Sequence, residues 1–201
     1  KEISSSSLIG NRFEITIRDL NRKEAEGIDI GPVIKYGIPN YFDSQRFGSV
    51  FNGDFIAKHT LQGDYEGAVK IFLTKFTKHE KKLIKDEKKL ILNHWGRFDG
   101  LDIKTKSLRN AVDRFRRSGD WLESYKTISK NLREMYNSAY QGYLWNECVK
   151  ELIRKNTSDI LNVNYPLGEL LFHKNEIKGL PENVPMVNSS LKLDGTEKEV
   201  I

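Results

Sequence analysis

Twelve consecutive residues, Gly37 to Gly48, combine side chains that could bind a nucleobase. They read Gly-Ile-Pro-Asn-Tyr-Phe-Asp-Ser-Gln-Arg-Phe-Gly and include three aromatic rings, two amides and one arginine. Aromatic rings stack on unpaired bases, and Asn, Gln and Arg side chains hydrogen-bond to base edges. Exposed rings cost hydrophobic free energy. We therefore expect this stretch either to be buried or to have a flat partner.

The stretch has neither the period of a helix nor that of a strand, which predicts a loop. Pro39 fixes one backbone angle and favours an extended conformation at Ile38. Gly37 and Gly48 permit turns at the two ends.

Residues Asn40 to Gly48 match the pattern Asn-Tyr-Phe-x-x-Gln-Arg-Phe-Gly, with seven fixed residues in nine positions. This pattern resembles the signature of the TruD family of tRNA pseudouridine synthases, and we call residues 40–48 the signature loop. The chain departs from the family pattern at Asp43, where the family usually has glycine. A second segment, Ser138 to Asn146, is similar to a helix of TruD-like proteins and follows in the expected order.

The resemblance implies roles for five residues of the signature loop. Phe42 would pack against the target base, and Asn40 would contact the nucleotide or orient a catalytic aspartate. Gln45, Arg46 and Phe47 would brace the loop or touch RNA. From the residue types alone, Tyr41 and Phe47 are better explained as core rings than as base contacts.

The resemblance also implies a reaction without cofactor or metal, in which an aspartate of a Gly-x-Lys-Asp motif acts as the nucleophile. Lys85-Asp86 lacks the glycine and lies in a lysine-rich segment, and Asp194 lies in the tail. We expect the nucleophile to lie outside this chain, just upstream of a segment that resembles Leu8 to Phe13. The 201 residues alone are then expected to be inactive.

Composition narrows the class of protein. The net charge of +5 and the pI near 9.1 suit a polyanionic partner such as tRNA. The single cysteine, Cys148, excludes an internal disulfide and fits a reducing compartment. No apolar run of the length of a membrane span and no secretion signal is evident, so we expect a cytoplasmic protein.

Several elements follow from the patterns along the chain. Alternating residues 13–18 predict a half-buried strand, and residues 20–36 a helix interrupted at Gly31-Pro32 and ending near Gly37. Asp64 and Asp120 are predicted to start helices, and Gly119 to end one. Apolar residues recurring every three or four positions predict the longest helix over 132–153, followed by short strands and turns from Asn162 onward.

A lysine-rich segment covers residues 70–89, with eight lysines against three acidic residues. It reads either as a solvated amphipathic helix or as a track for RNA phosphates. The arginines between residues 109 and 117 pose the same alternative.

We therefore predict an α+β fold: part of a pseudouridine-synthase catalytic sheet with a mainly helical inserted TRUD domain. Residues 1–51 would belong to the catalytic domain, 52–185 to the insertion, and 186–201 to the return segment. The remaining catalytic segments of the enzyme would be partners, together with tRNA.

Two other functions stay open, a non-catalytic RNA-binding module and a purely structural domain. The four histidines are scattered and there is one cysteine, so the sequence does not suggest a metal site. No glycine-rich phosphate loop is evident, so it does not suggest a nucleotide site either.

Overall fold

The computed structural model describes residues 10, 12–178, 181 and 183–188. The chain divides into two compact units, one up to Gly37 and one from Ile38 onward. The domain assignment made from the sequence, with boundaries after residues 51 and 185, stays a prediction.

The first unit contains two short helices, α1 (Arg22–Glu26) and α2 (Gly31–Tyr36). Asn21 begins α1 with a capping box: its side chain accepts from the backbone amide of Glu24, and the Glu24 carboxylate accepts from the backbone amide of Asn21. The helix predicted over 20–36 is thus two helices. Gly31-Pro32 begins the second, because proline is well suited to the first turn.

The strand predicted over residues 13–18 is wrong. These residues have no regular secondary structure, and Phe13, Ile15 and Ile17 are largely exposed. An alternating pattern identifies an apolar face, but a strand also needs a neighbour to receive its backbone hydrogen bonds. Within the described residues, the one sheet has two strands and lies elsewhere in the chain.

The second unit is mainly helical and ends in an antiparallel hairpin. The two strands pair from Ile160 opposite His173 to Tyr165 opposite Gly168. This composition supports the coarse α+β class. The elements are α3 (Ile56–Leu61), α4 (Tyr65–Thr74), α5 (Lys82–Asn93), α6 (Lys106–Ser118), α7 (Trp121–Lys126), α8 (Lys130–Asn156), β1 (Ile160–Tyr165) and β2 (Gly168–His173).

The predicted helix ends are confirmed. The carboxylate of Asp64 accepts from the amide of Gly67 at the start of α4, and Asp120 does the same for Leu122 at the start of α7. Gly119 ends α6 with φ of 64°, a backbone angle that side chains disfavour.

The lysine-rich segment is not one helix. It comprises the end of α4, a loop over residues 75–81, and most of α5. The ammonium group of Lys88 donates to the carbonyl of Lys75 and to the carboxylate of Glu80, so a buried cation holds both ends of this loop. Sequence periodicity carries no trace of such a long-range contact.

Helix α8 connects two apolar cores. Tyr136, near its beginning, belongs to the core of the helical elements α3 to α7, and Val149 and Ile153 pack with Leu171 of β2. At about 1.5 Å per residue, its 27 residues span about 40 Å. Among the described residues no helix is both long and apolar enough to cross a membrane.

Candidate functional site

The signature loop runs from extended backbone into a short 3-10 helix, Ser44–Phe47. Asp43 has φ of −93°, which any residue adopts, and its carboxylate accepts from the amide of Ser44. The aspartate therefore fits this turn and caps it, although the family usually has glycine there.

Two rings of the loop are anchors. The hydroxyl of Tyr41 donates to the carbonyl of Leu171 at 2.9 Å, and its ring packs edge-on against Phe172 of β2. Phe47 is only 4% exposed and packs against Tyr165 of β1. The loop is thereby fixed to the hairpin near both of its ends.

The middle of the loop is held by one buried amide side chain of α8. The Asn146 carboxamide accepts from the Phe42 amide at 2.9 Å and donates to the Phe42 carbonyl at 2.9 Å. Asn146 is fully buried, so neither bond faces competition from bulk water. One side chain thus fixes both polar backbone groups of Phe42.

Two further residues of α8 contact the Phe42 ring. A Cβ atom added at Gly142 would lie 3.3 Å from the ring, so the absence of a side chain lets the loop approach the helix. Trp145 packs edge-on against the same ring, with centroids 5.5 Å apart. The segment similar to the second TruD pattern, Ser138 to Asn146, therefore meets the signature loop at Phe42.

The same stretch of α8 also holds residues 184–187. The indole of Trp145 donates to the carbonyl of Val184 at 2.9 Å, and the side-chain amide of Gln141 donates to the carbonyl of Val187 at 2.8 Å. Three parts of the sequence thus converge on one helix segment: the signature loop, the hairpin and the region after it.

The remaining polar side chains of the loop face solvent. Asn40, Gln45 and Arg46 are exposed. The guanidinium carbon of Arg46 lies 4.8 Å from the centroid of the half-buried Phe42 ring. An aromatic ring covered by a solvent-accessible cation is a surface on which a base could stack once the cation moves.

The five predicted site residues thus divide into two groups. Asn40, Gln45 and Arg46 form the outer surface with one part of Phe42, whereas Phe47 points into the protein. Their contact with RNA is untested by this geometry and stays a prediction.

The anchoring groups remain uncharged near neutral pH. Burial raises the pKa of the Tyr41 hydroxyl above its usual value. Burial, with the nearby Glu147 carboxylate acting in the same direction, raises the pKa of Tyr165 to about 12. Glu147 itself is paired with Lys150 at 2.6 Å. The hydroxyl of Tyr41 is therefore a stable donor throughout the physiological range.

The expected position of the aspartate nucleophile, outside this chain, stays a prediction. Asp86 is exposed on α5 and does not belong to the loop surroundings given above, and Asp194 lies outside the described residues.

One ion cluster was not predicted. The His59 ring bonds to Asp54 through one nitrogen and to Asp64 through the other, at 2.8 and 2.6 Å. The two carboxylates lie on opposite sides of the ring. In the described parts of the chain, no group of three His, Cys, Asp or Glu side chains could share a metal ion.

Sequence reasoning missed Asn146, Gly142 and Trp145 as site residues, although it placed them on the correct helix. An asparagine on the apolar face of a long helix was a usable signal, because a buried amide requires partners. Its partner, the Phe42 backbone 104 residues away, could not be read from the pattern.

A protein-family model described as tRNA pseudouridine synthase D (TruD) matches residues 1–191. The chain is 41% identical over 209 residues to the "Probable tRNA pseudouridine synthase D 2" of Methanocaldococcus jannaschii, which covers 96% of this chain and 50% of the relative. It is 39% identical over 216 residues to the "Probable tRNA pseudouridine synthase D 1" of Methanococcus maripaludis, covering 100% of this chain and 56% of the relative.

A crystal structure of a TruD protein from Methanosarcina mazei matches with a TM-score of 0.46 and 21% identity, over 69% of this chain and 35% of the other. The chain spans about half the length of the curated relatives named above. The family model nevertheless extends over nearly all of its residues, and the sequence therefore belongs to the tRNA pseudouridine synthase D (TruD) family.

Proposed function

We propose that this chain is part of a tRNA pseudouridine synthase that converts a uridine of tRNA to pseudouridine, at position 13 as in the bacterial type. The reaction is an isomerisation: the bond from uracil N1 to the ribose breaks and a bond from C5 to the ribose forms. N1 gains a proton and C5 loses one. The observation that supports this role best is the meeting of the two TruD-like segments at Phe42.

In this proposal the target uracil stacks on Phe42 in the place that Arg46 occupies in the free protein. An exposed cation–π contact contributes about 0.5–1 kcal/mol, whereas stacking a base on an aromatic ring contributes about 1–3 kcal/mol. The exchange is therefore favourable. The displaced guanidinium is then available to bind a phosphate of the same RNA.

Asn40 and Gln45 supply the hydrogen-bonding groups of the surface, and Phe47 keeps the loop in place from inside. A loop fixed by Asn146 and Tyr41 loses little conformational entropy when RNA binds, which favours affinity. The proposal also includes the domain boundaries after residues 51 and 185. It further assumes that other catalytic segments supply the nucleophile and that the protein modifies tRNA in the cytoplasm.

The first test is tRNA binding by this chain across a salt series, beside Phe42→Ala and a control, Leu61→Ala. Leu61 is an exposed apolar residue of α3, outside the loop contacts described above, so the control removes apolar surface without removing one of those contacts. We expect binding that weakens with salt and falls about 5- to 100-fold in Phe42→Ala only. Equal affinity of all three proteins would contradict base stacking on Phe42.

The second test is pseudouridine formation in tRNA by the protein as it occurs in its cell, read by chemical labelling of pseudouridine and primer extension. Loss of product in Phe42→Ala with retention in Leu61→Ala supports the proposal. Tight RNA binding without formation of pseudouridine would instead favour a non-catalytic RNA-binding module.

A further inference from the structure

A cavity of about 250 Å³ begins where the signature loop ends, and Gly48 and Ser49 line it. The rest of the lining comes from the segment that follows the loop, from α3, α4 and α5, from the loop over residues 75–81, and from Leu132 and Tyr136 of α8. The cavity is separate from the exposed surface around Phe42, and its whole lining lies in the second unit.

The lining suits one flat, mainly apolar ligand group. Three aromatic rings line the cavity, those of Phe51, Phe72 and Tyr136. Pockets for drug-sized molecules have volumes of about 300–1,000 Å³, so this smaller cavity suits a single heterocycle. Single-stranded RNA offers unstacked bases of this kind, which bind between aromatic and apolar side chains.

A buried cation gives the cavity a chemical preference. Lys88 lines the wall and is 8% exposed. Its ammonium group donates to the Lys75 carbonyl at 2.6 Å and to Glu80 at 2.9 Å. An ammonium group has three donors, and these two acceptors use two of them. A ligand acceptor inside the cavity would use the third donor.

The surrounding charge suits a polyanion. Lys75 lines the cavity and is exposed, and the segment from residue 70 to 89 has eight lysines against three acidic residues. Glu80, the one acidic residue of the lining, is neutralised by Lys88 and also accepts from the Thr77 amide. A nucleotide can thus place its base inside the cavity and its phosphate beside Lys75.

We propose that this cavity binds a second base of the RNA substrate, a few nucleotides from the target uridine, and that Lys88 donates to a carbonyl oxygen of that base. Uracil, guanine and cytosine carry such a carbonyl, and adenine does not. The inference rests on the proposed function, because it requires RNA at the signature loop.

The test is a scan of single abasic sites on both sides of the target uridine in the bound tRNA, with the dissociation constant measured for each RNA. The wild-type protein should lose about 5- to 100-fold in affinity at two positions, the target and one other. Phe72→Leu keeps an apolar side chain but removes the flat ring. In this variant an abasic site at the second position should no longer lower the affinity, whereas an abasic site at the target should still lower it. Lys88→Met should remove the preference for a carbonyl-bearing base over adenine there.

Lys82→Met is the matched control, because Lys82 is an exposed residue of the same helix and does not line the cavity. In Lys82→Met, abasic sites at both positions should still lower the affinity. A single sensitive position in the wild type, or a second position that is unchanged in Phe72→Leu, overturns this inference and leaves the proposed function intact. Absence of RNA binding by the wild-type protein contradicts both. Should Lys88→Met fail to fold, Phe72→Leu alone decides.

Discussion

Replacing Asn146 by leucine removes the group that holds Phe42 while keeping a side chain of similar size. Two hydrogen bonds of 2.9 Å disappear, and the amide and carbonyl of Phe42 lose their partner. A hydrogen bond contributes about 1 kcal/mol net, and each unpaired buried group costs about 1–3 kcal/mol. Since Phe42 is half-buried, water can replace part of the loss. We expect a decrease of about 2–4 kcal/mol in the free energy of unfolding.

Such a loss is a large fraction of the roughly 5–15 kcal/mol that stabilises a typical domain. Urea unfolding of the wild type and of Asn146→Leu measures it. Amide hydrogen exchange localises it, because protection of the Phe42 amide should disappear. The Val50 amide, which donates to the carbonyl of Phe47 at 3.0 Å, should change less.

Asn137→Leu is the matched control, since Asn137 is an exposed asparagine of the same helix. It should stay within about 0.5 kcal/mol of the wild type, as surface substitutions usually do. An Asn146→Leu protein that matches this control, with unchanged exchange at Phe42, would refute the claim that the carboxamide holds the loop.

Three further substitutions have expected outcomes. Gly142→Ala should change the unfolding free energy by less than about 1 kcal/mol, since gained helix propensity offsets crowding, but reduced exchange protection at Phe42 should show that the loop has moved. Gly67→Ala should destabilise by about 1–3 kcal/mol in urea unfolding, because the new Cβ would overlap the His59 ring and the Asp64 carboxylate; the usual gain for this change in a helix would contradict the packing. Burial lowers the pKa of His59, but its bonds to the two aspartates prevail and raise it above 6.5. The contribution of His59 to the free energy of unfolding is therefore complete below about pH 6.5 and is lost as the pH rises through the raised pKa. The free energy of unfolding of the wild type should decrease over that range, whereas that of His59→Gln should not.

Local chemistry predicted the helical part of this fold well. Asp64, Asp120 and Gly119 mark helix ends through bonds to near neighbours, and such bonds depend on a few adjacent residues. The 27 residues of α8 carry a sustained apolar period, which predicts a helix with little ambiguity.

Contacts between distant residues decided the rest. The alternating residues 13–18 looked like a strand, but the described chain provides no partner for their backbone groups. The lysine-rich segment looked continuous, although Lys88 closes a loop within it. The sequence identified the signature loop and favoured a core position for Phe47, which is buried, yet it could not show that Asn146 fixes Phe42.

The central claim is that the outer surface of the signature loop contacts a uridine of tRNA. Photocrosslinking of the chain to tRNA that contains 4-thiouridine, followed by trypsin digestion and mass spectrometry, tests it directly. Cleavage after Lys35 and Arg46 releases residues 36–46, which include Asn40, Phe42 and Gln45. We predict a nucleotide attached to this peptide, with less crosslinking in Phe42→Ala. Crosslinks confined to other peptides, with none on residues 36–46, would contradict the account.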